Sequence, residues 1–323
     1  MTAGVREQGD TLAREESLEQ YRPELTGYCY RVLGSPFDAD DAVQETLVRA
    51  WQALDGFQGR SSLRSWLYRI ATNVCLDALR AGQRRALPMD LSAPVPSSTP
   101  PGEALPEQTW VLPLAAGGDG DPADRAVLND SVRLAFVAAL QHLPPRQRAT
   151  LLLRDVLALP AAEVADLLGT TVASVNSALQ RARATVSQLD AGGALTVDEL
   201  EEPDRQLLEQ YVAAFEAYDI EGLVQLLHDD ASMSMPPLAL WLQGPDQMAG
   251  WYLGHGAGCR GSRLLPMTLN GQPGFAQYKP SEDGGLTAWS LQVLEIVDGR
   301  VAHIHHFLGD EHFLRAGLPV RLD

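Results

Sequence analysis

The sequence predicts a multidomain chain in which two all-α segments are followed by an α+β segment. Three observations carry this reading. Apolar residues recur at three- and four-residue spacing through residues 15–85 and again through 129–190. A run rich in proline, serine and glycine, LPMDLSAPVPSSTPPGEALPEQ and then AAGGDGDPAD, separates the two. Beyond residue 200 the period changes, and the last apolar stretches alternate in steps of two.

In the first segment, Leu18, Tyr21, Leu25, Tyr28, Cys29 and Val32 define a helix that Gly34-Ser35-Pro36 ends. Asp38, Asp40 and Asp41 suit the first turn of a second helix, where carboxylates meet the positive end of the dipole. Ser61 or Ser62 caps a third helix over 63–80, whose apolar stripe includes Trp66, Leu67, Ile70 and Val74. Residues 86–128 read as a flexible acidic linker of extended, polyproline-like character. In 129–190, a helix near 129–141 ends before His142-Leu143-Pro144-Pro145, and 147–157 forms the next. Pro160 opens a third helix that stops at Gly169, and Thr170-Thr171-Val172 leads into a fourth. In 200–323, residues 211–215 and 223–227 look helical. Strands over 286–297 and 301–308 are joined by a two-residue Asp298-Gly299 turn, so helices precede a curved antiparallel sheet.

The length of 323 residues calls for more than one typical domain. No run approaches the ~18 apolar residues of a membrane span, and the polar N-terminus has no apolar signal region. Cys29, Cys75 and Cys259 lie far apart with no CxxC, which excludes a disulfide scaffold and a cysteine-rich zinc site. A cytoplasmic protein is expected. The net charge of −17 argues against a nucleic-acid binder, but the distribution reverses that argument. Residues 1–90 hold 11 basic and 13 acidic groups, whereas residues 191–323 hold 7 and 19, a net −12. The acidity is therefore concentrated in the linker and the C-terminal segment, and arginines cluster in the helical ones.

The strongest motif is LPPRQRATLLLRDVLALPAAEVADLLGTTVASVNSALQRARATV, residues 143–186. Two short helices meet across a glycine turn, with Ala162, Val164, Ala165, Leu168, Val175 and Leu179 placed to pack the pair. Thr171, Ser174, Asn176, Ser177 and Gln180 face outward, where amides read adenine edges and hydroxyls bond phosphate or base. Arg146, Arg181 and Arg183 suit phosphates. A plain helical hairpin with a solvated arginine face is the alternative.

This segment resembles region 4 of bacterial sigma factors of the extracytoplasmic-function group, the reader of the −35 element. DADDAVQETLVRAWQAL resembles the helix of region 2 that binds core polymerase, and FQGRSSLRSWLYRIATNVCLDALRAGQRR the part that melts and reads the −10 element. The resemblance covers residues 18–188. It implies that Asp40, Asp41, Gln44, Glu45 and Leu47 dock onto core polymerase. It further implies that Phe57, Arg60, Ser61, Arg64, Arg69, Asn73, Arg80, Arg84 and Arg85 bind −10 DNA, the 57–62 loop pocketing a flipped base. Trp66 reads as core, and Phe57 fits core or loop equally. Asn176 and Ala178 stand where the group often has a basic residue, which weakens phosphate contact there. The implied partners are core RNA polymerase, through its β′ clamp and β flap, and promoter DNA. An anti-sigma factor or a small ligand would be a further partner, and no membrane is involved.

The third segment exceeds a minimal factor of that group. YVAAFEAYDIEGLVQLLHDDASMSMPPLALWLQG, MAGWYLG and the closing strand pair resemble the SnoaL-like fold, a cone of helices on a curved sheet. Together the parts resemble the subgroup with a fused SnoaL-like domain, and NGQPGFAQY and FLRAGLP resemble its mycobacterial sigma factor G branch. The resemblance implies a pocket, with Met233, Trp241, Trp251, Tyr252, Trp289, His303 and Phe307 as candidate lining. The sequence shows no convincing acid–base pair, so no catalytic residue, cofactor or metal is expected. His303 and His305 share a strand face without an evident third ligand. The expected function is promoter-specific initiation modulated by the C-terminal domain. A small-molecule enzyme or sensor of the SnoaL-like type, fused to a DNA-binding regulator, is the alternative.

Overall fold

A computed structural model describes residues 18–59, 61–82, 84–115, 132–189 and 193–322. They fall into two compact units, one drawn from 1–85 and 122–190, the other from 86–121 and 191–323. The helical unit begins with α1, Arg22–Leu33, which ends at Gly34 with φ +74°, the left-handed cap that glycine adopts without strain. Helix α2, Pro36–Ala53, starts at Ser35, whose hydroxyl accepts from the Asp38 amide. Helix α3, Leu63–Ala81, is capped by Ser62 through the Ser65 amide, which decides between the two candidate serines. Helix α4, Leu134–Gln141, is followed by α5, Pro145–Leu151, which runs on through a π-type turn at Leu152–Val156. Helix α6, Ala161–Leu168, ends at Gly169 in the left-handed region, and the chain turns into α7, Val172–Leu189.

These helices form one body across the two sequence segments. Gln141 Nε2 donates to the Arg31 carbonyl at 3.4 Å, and Arg148 Nη1 donates to the Val32 carbonyl. Arg148 also donates to the Gln141 and Leu143 carbonyls at 3.1 and 3.2 Å. A buried guanidinium thus satisfies the Val32 carbonyl at the C-terminal end of α1 and two carbonyls at the end of α4, where the helix dipoles are negative. Burial pulls its pKa down to about 10, so it keeps its charge at neutral pH.

The C-terminal unit has α8, Glu202–Ala217, α9, Ile220–Gln225, α10, Pro245–Leu253, and α11, Glu311–Arg315. Its strands are β1, Leu227–Ser234; β2, Trp241–Gln243; β3, Arg263–Leu269; β4, Gln272–Pro280; β5, Leu286–Val297; β6, Arg300–Leu308; and β7, Arg321–Leu322. One sheet has the order β2-β1-β6-β5-β4-β3, and β7 pairs with β5. Only β1 and β6 run parallel. The β5–β6 hairpin turns through Asp298 and Gly299 at φ +51° and +71°, as the sequence predicts. An equivalent Asn270-Gly271 turn, φ +55° and +68°, closes β3–β4. Tyr211 of α8 stacks on Phe275 and on Phe215 of the same helix, and Phe215 meets Tyr252 edge-on, all within the apolar core of this unit.

The expected flexible linker takes a different form over its described part. Residues 86–115 belong to the C-terminal unit and are hydrogen-bonded along it. The Val95 amide donates to the Trp241 carbonyl at 3.0 Å, and Trp241 Nε1 donates to the Ser92 carbonyl at 2.9 Å. The Ser97 amide donates to Gln247 Oε1, and the Leu105 amide to the Pro237 carbonyl. Leu114 exchanges bonds with Asn270 in both directions. Val95 packs against the core, and Trp110, Val111 and Leu112 are buried. An extended proline-rich chain lacks internal hydrogen bonds, so its peptide groups are free to pair with a neighbouring surface. Composition signalled the conformation but not the docking. Residues 116–128 of the expected linker lie outside the described residues.

Candidate functional site

Helix α2 buries Ala39, Ala42, Val43, Thr46, Leu47 and Ala50 on one stripe. Asp40, Asp41, Gln44 and Glu45 lie exposed on the other side. Leu47 belongs to the buried stripe, 7% exposed, and is corrected from docking residue to core. The exposed apolar residues of this helix are instead Val48 and Trp51, at 40% and 49%. The i, i+4, i+7 series Gln44, Val48, Trp51 was readable as a solvent-facing row. Glu45 is paired with Arg49 at 2.7 Å.

The expected −10 surface divides in three. Arg69 and Asn73 are exposed four residues apart on α3, and Arg80 and Arg84 are exposed beyond them. Arg80 pairs with Asp77 at 2.8 Å, and Arg84 lies 3.4 Å from His142 Nε2. Arg64 is half-buried, paired with Glu24 at 2.8 Å and lying over the Tyr68 ring. Arg85 is a correction, because its side chain is 5% exposed and bonded to Asp38 at 2.6 Å, a joint between segment end and α2 rather than a phosphate contact. Phe57 and Trp66 are both half-buried and pack on each other, ring centroids 5.1 Å apart. Ser61 is half-buried, and Arg60 lies outside the described residues.

On α7, Asn176, Ser177, Gln180 and Arg181 form one exposed face. Ser174 is exposed beside them, but its amide and hydroxyl both meet Thr171 Oγ1, so Thr171 serves as the helix cap. Arg183 makes a double ion pair with Asp155 at 2.6 and 2.8 Å, which holds α7 to the preceding turn. Arg146 is exposed. Helices α3 and α6 touch directly, because Ser65 Oγ near the start of α3 donates to Glu163 Oε1 of α6.

The C-terminal unit encloses a cavity of about 230 Å³. Trp251, Tyr252 and Trp289 of the expected lining are there. Met233 is sealed into the core instead, and Met235 takes the lining position. Trp241 is half-exposed and anchors the extended segment. His303 and Phe307 sit on the strand face opposite His306, which the cavity does reach. On that opposite face, Ser232 meets His303 Nδ1 at 2.7 Å and Ser234 meets His305 Nδ1 at 2.9 Å. Among the described residues no group of three or more His, Cys, Asp or Glu is arranged to hold a metal. The polar cavity residues that sequence reading missed include Gln277, Lys279, Cys259, His255 and His306. Strict alternation from His303 placed His306 on the other face, and that signal was available.

A connected polar network underlies the cavity. Ser290 Oγ and Gln292 Nε2 each donate to Gln277 Oε1 at 2.9 Å, and Tyr211 donates to Gln292 Oε1 at 2.9 Å. Burial drives the His306 pKa down to about 3, so the ring is neutral, and burial pushes the Cys259 thiol up.

A helix-turn-helix and a second helical segment, followed by a helix-backed sheet, define a DNA-binding type of architecture with a C-terminal extension. Family models agree on the parts: sigma-70 region 2 matches residues 18–85, sigma-70 region 4 residues 133–186, and the SnoaL-like domain residues 208–304. The chain is 49% identical over 318 residues to the ECF RNA polymerase sigma factor SigG of Mycobacterium tuberculosis, covering 93% of this chain and 82% of that one. It is 29% identical to SigJ of the same organism, over 94% of each chain. The crystal structure of the M. tuberculosis extracytoplasmic function sigma factor SigJ superposes with a TM-score of 0.64 at 24% identity, covering 96% of this chain and 99% of that one, which shows a shared fold. The chain therefore belongs to the ECF RNA polymerase sigma factors, whose partners are core RNA polymerase and promoter DNA. No described helix is long and apolar enough to cross a membrane.

Proposed function

We propose that this sigma factor keeps its two promoter readers together when free and parts them on the promoter. The observation that carries the reading is the Ser65–Glu163 hydrogen bond between α3 and α6, backed by Arg148 and Gln141 on the end of α1. The −10 and −35 elements are centred roughly 25 base pairs apart, about 85 Å at ~3.4 Å per pair. Helices in hydrogen-bond contact cannot read both at once. Glu163 also places a carboxylate beside the first turn of α3, where DNA phosphates or unstacked bases would approach. In this reading Asp40, Asp41, Gln44 and Glu45, with Val48 and Trp51, dock on the β′ clamp, and region 4 docks on the β flap. Arg69, Asn73 and Arg80 meet −10 DNA, and Asn176, Ser177, Gln180 and Arg181 meet the −35 element. The C-terminal unit modulates opening through residues 86–115, the chain that leads from region 2 toward region 4. In this reading the protein is a cytoplasmic initiation factor and not an enzyme, which the likeness to sigma factors supports.

The test is transcription with purified core polymerase over a promoter library, comparing the native protein with Glu163→Ala. A several-fold rise in promoter-specific transcript at limiting core is expected. Equal output at every core concentration would overturn the closed form. Absence of specific transcripts from either protein at saturating core would overturn the reader assignment.

A further inference from the structure

The cavity of the C-terminal unit has a wall chemistry that selects a ligand. Trp251, Tyr252 and Trp289 present apolar aromatic surface, suited to a planar ring. The floor asks for nothing from a ligand. The Gln277 amide donates to Ser262 and accepts from Ser290 and Gln292, so its polar atoms are satisfied within the protein. Lys279 is different. It is the only lysine of the chain, in a segment of net charge −12. Its ammonium lies 3.3 Å from the centroid of the Trp289 ring, and among the described residues it has no carboxylate partner. A cation resting on an aromatic face, in a wall with no acidic residue, is a site for an anion. At about 230 Å³ the space is smaller than the ~300–1,000 Å³ that holds drug-sized molecules, which limits the occupant to one or two fused rings.

One wall comes from the extended segment. Pro101 lines the cavity. Its flanks are tied to other lining residues: the Ser98 carbonyl meets His255 Nε2 at 3.3 Å, and Ala104 bridges to Leu238. His255 in turn packs on Trp251, ring centroids 5.3 Å apart. Gly250 allows the approach, since a Cβ there would lie 2.5 Å from Ser97 Oγ.

We propose that this cavity binds a compact aromatic carboxylate, its ring against Trp251 and Trp289 and its carboxylate on Lys279, and that occupancy fastens residues 92–105 across it. Filling the space supports Pro101 and Leu238 from beneath, so the segment that leads from region 2 toward region 4 is held more firmly when ligand is bound. Ligand binding stands independently of the closed-form reading, and only its consequence for transcription rests on that reading.

The test uses the full-length protein, 1-naphthoate as probe and the neutral 1-naphthamide as its isostere, followed by tryptophan fluorescence and calorimetry without polymerase. Saturable one-to-one binding of naphthoate at roughly millimolar affinity or better is expected, at least about tenfold tighter than naphthamide. Lys279→Met should weaken naphthoate about tenfold and leave naphthamide unchanged, and Lys279→Arg should restore most of the difference. Amide exchange over residues 92–105 should slow on binding. Failure of naphthoate to bind, equal binding of the two probes, or loss of both probes in a Lys279→Met protein of unchanged thermal midpoint would overturn the site. Binding with unchanged exchange would overturn the coupling to the segment. Since no polymerase is present, these failures are distinct from failure of the transcription assay.

Discussion

In the helical unit, two buried polar side chains reach between sequence segments. Arg148 and Gln141 come from region 4 and end on the carbonyls of Arg31 and Val32 in region 2. In the C-terminal unit the buried polar side chains join neighbouring strands and the helix laid on them, as in the Tyr211–Gln292–Gln277–Ser290 chain. The first arrangement is a joint between two sequence segments of one helical unit. The second is the interior of a single body. Polar groups at a joint regain water when it opens, so their net contribution of about 1 kcal/mol per bond is reversible. Polar groups under a cavity have no such exchange and fix the shape of the wall. A helical unit built to part and a C-terminal unit built to stay closed is what this difference implies.

The largest effect that would sharpen the contrast is a response to acid. Burial lowers His306 to about 3 and His312 to about 4, and lowers His303 as well, all in the C-terminal unit. An unfolded chain takes up protons near pH 6.5 that the folded unit refuses. Stability is therefore intact above about pH 6.5 and lost as pH falls toward 4, by about 1.4 kcal/mol per pH unit for His306 and for His312, with His303 acting in the same direction. Thermal unfolding across pH 7 to 4.5 should show the C-terminal unit losing its transition first, and parallel decline of both units would break the comparison.

Next comes the joint itself. Arg148→Ala leaves several carbonyls without a donor and should destabilise the helical unit by about 1–3 kcal/mol, seen as a lower denaturant midpoint. Arg181→Ala, on the exposed face of α7, should change stability by less than about 0.5 kcal/mol. It should weaken −35 binding and reduce the salt slope by about one. Matching stability losses in the two variants would refute the division between joint and reading face. The smallest effect is Gly250→Ala, which pushes Ser97 aside and should speed proteolysis within residues 92–105 with a stability change under about 1 kcal/mol.

Much of this was legible in the sequence. Caps such as Ser35 and Ser62 and the Asp298-Gly299 turn were readable because their requirements are local. Leu47 was misplaced because a docking motif was given priority over the stripe Val43, Thr46, Leu47, Ala50, whose spacing marks it as buried. Arg85 was assigned to phosphate because a terminal arginine cluster looks the same whether or not a carboxylate 47 residues away pairs with one member. The linker expected over 86–128 lies in the C-terminal unit over its described part, 86–115, because composition reports a chain's conformation and not what it lies on. The cavity was found in outline and its wall on β6 assigned to the wrong face, since alternation separates two faces without saying which one is concave.

The most direct test of the closed form is the distance between the two readers. Spin labels at Ala78→Cys and Gln188→Cys, exposed positions outside the assigned DNA contacts, in a background carrying Cys259→Ser, report it for the free protein and for the complex with core polymerase and promoter DNA. A short distance in the free protein that lengthens by tens of ångströms in the complex is the predicted result. The same distance in both states, or a long distance in the free protein, would contradict it.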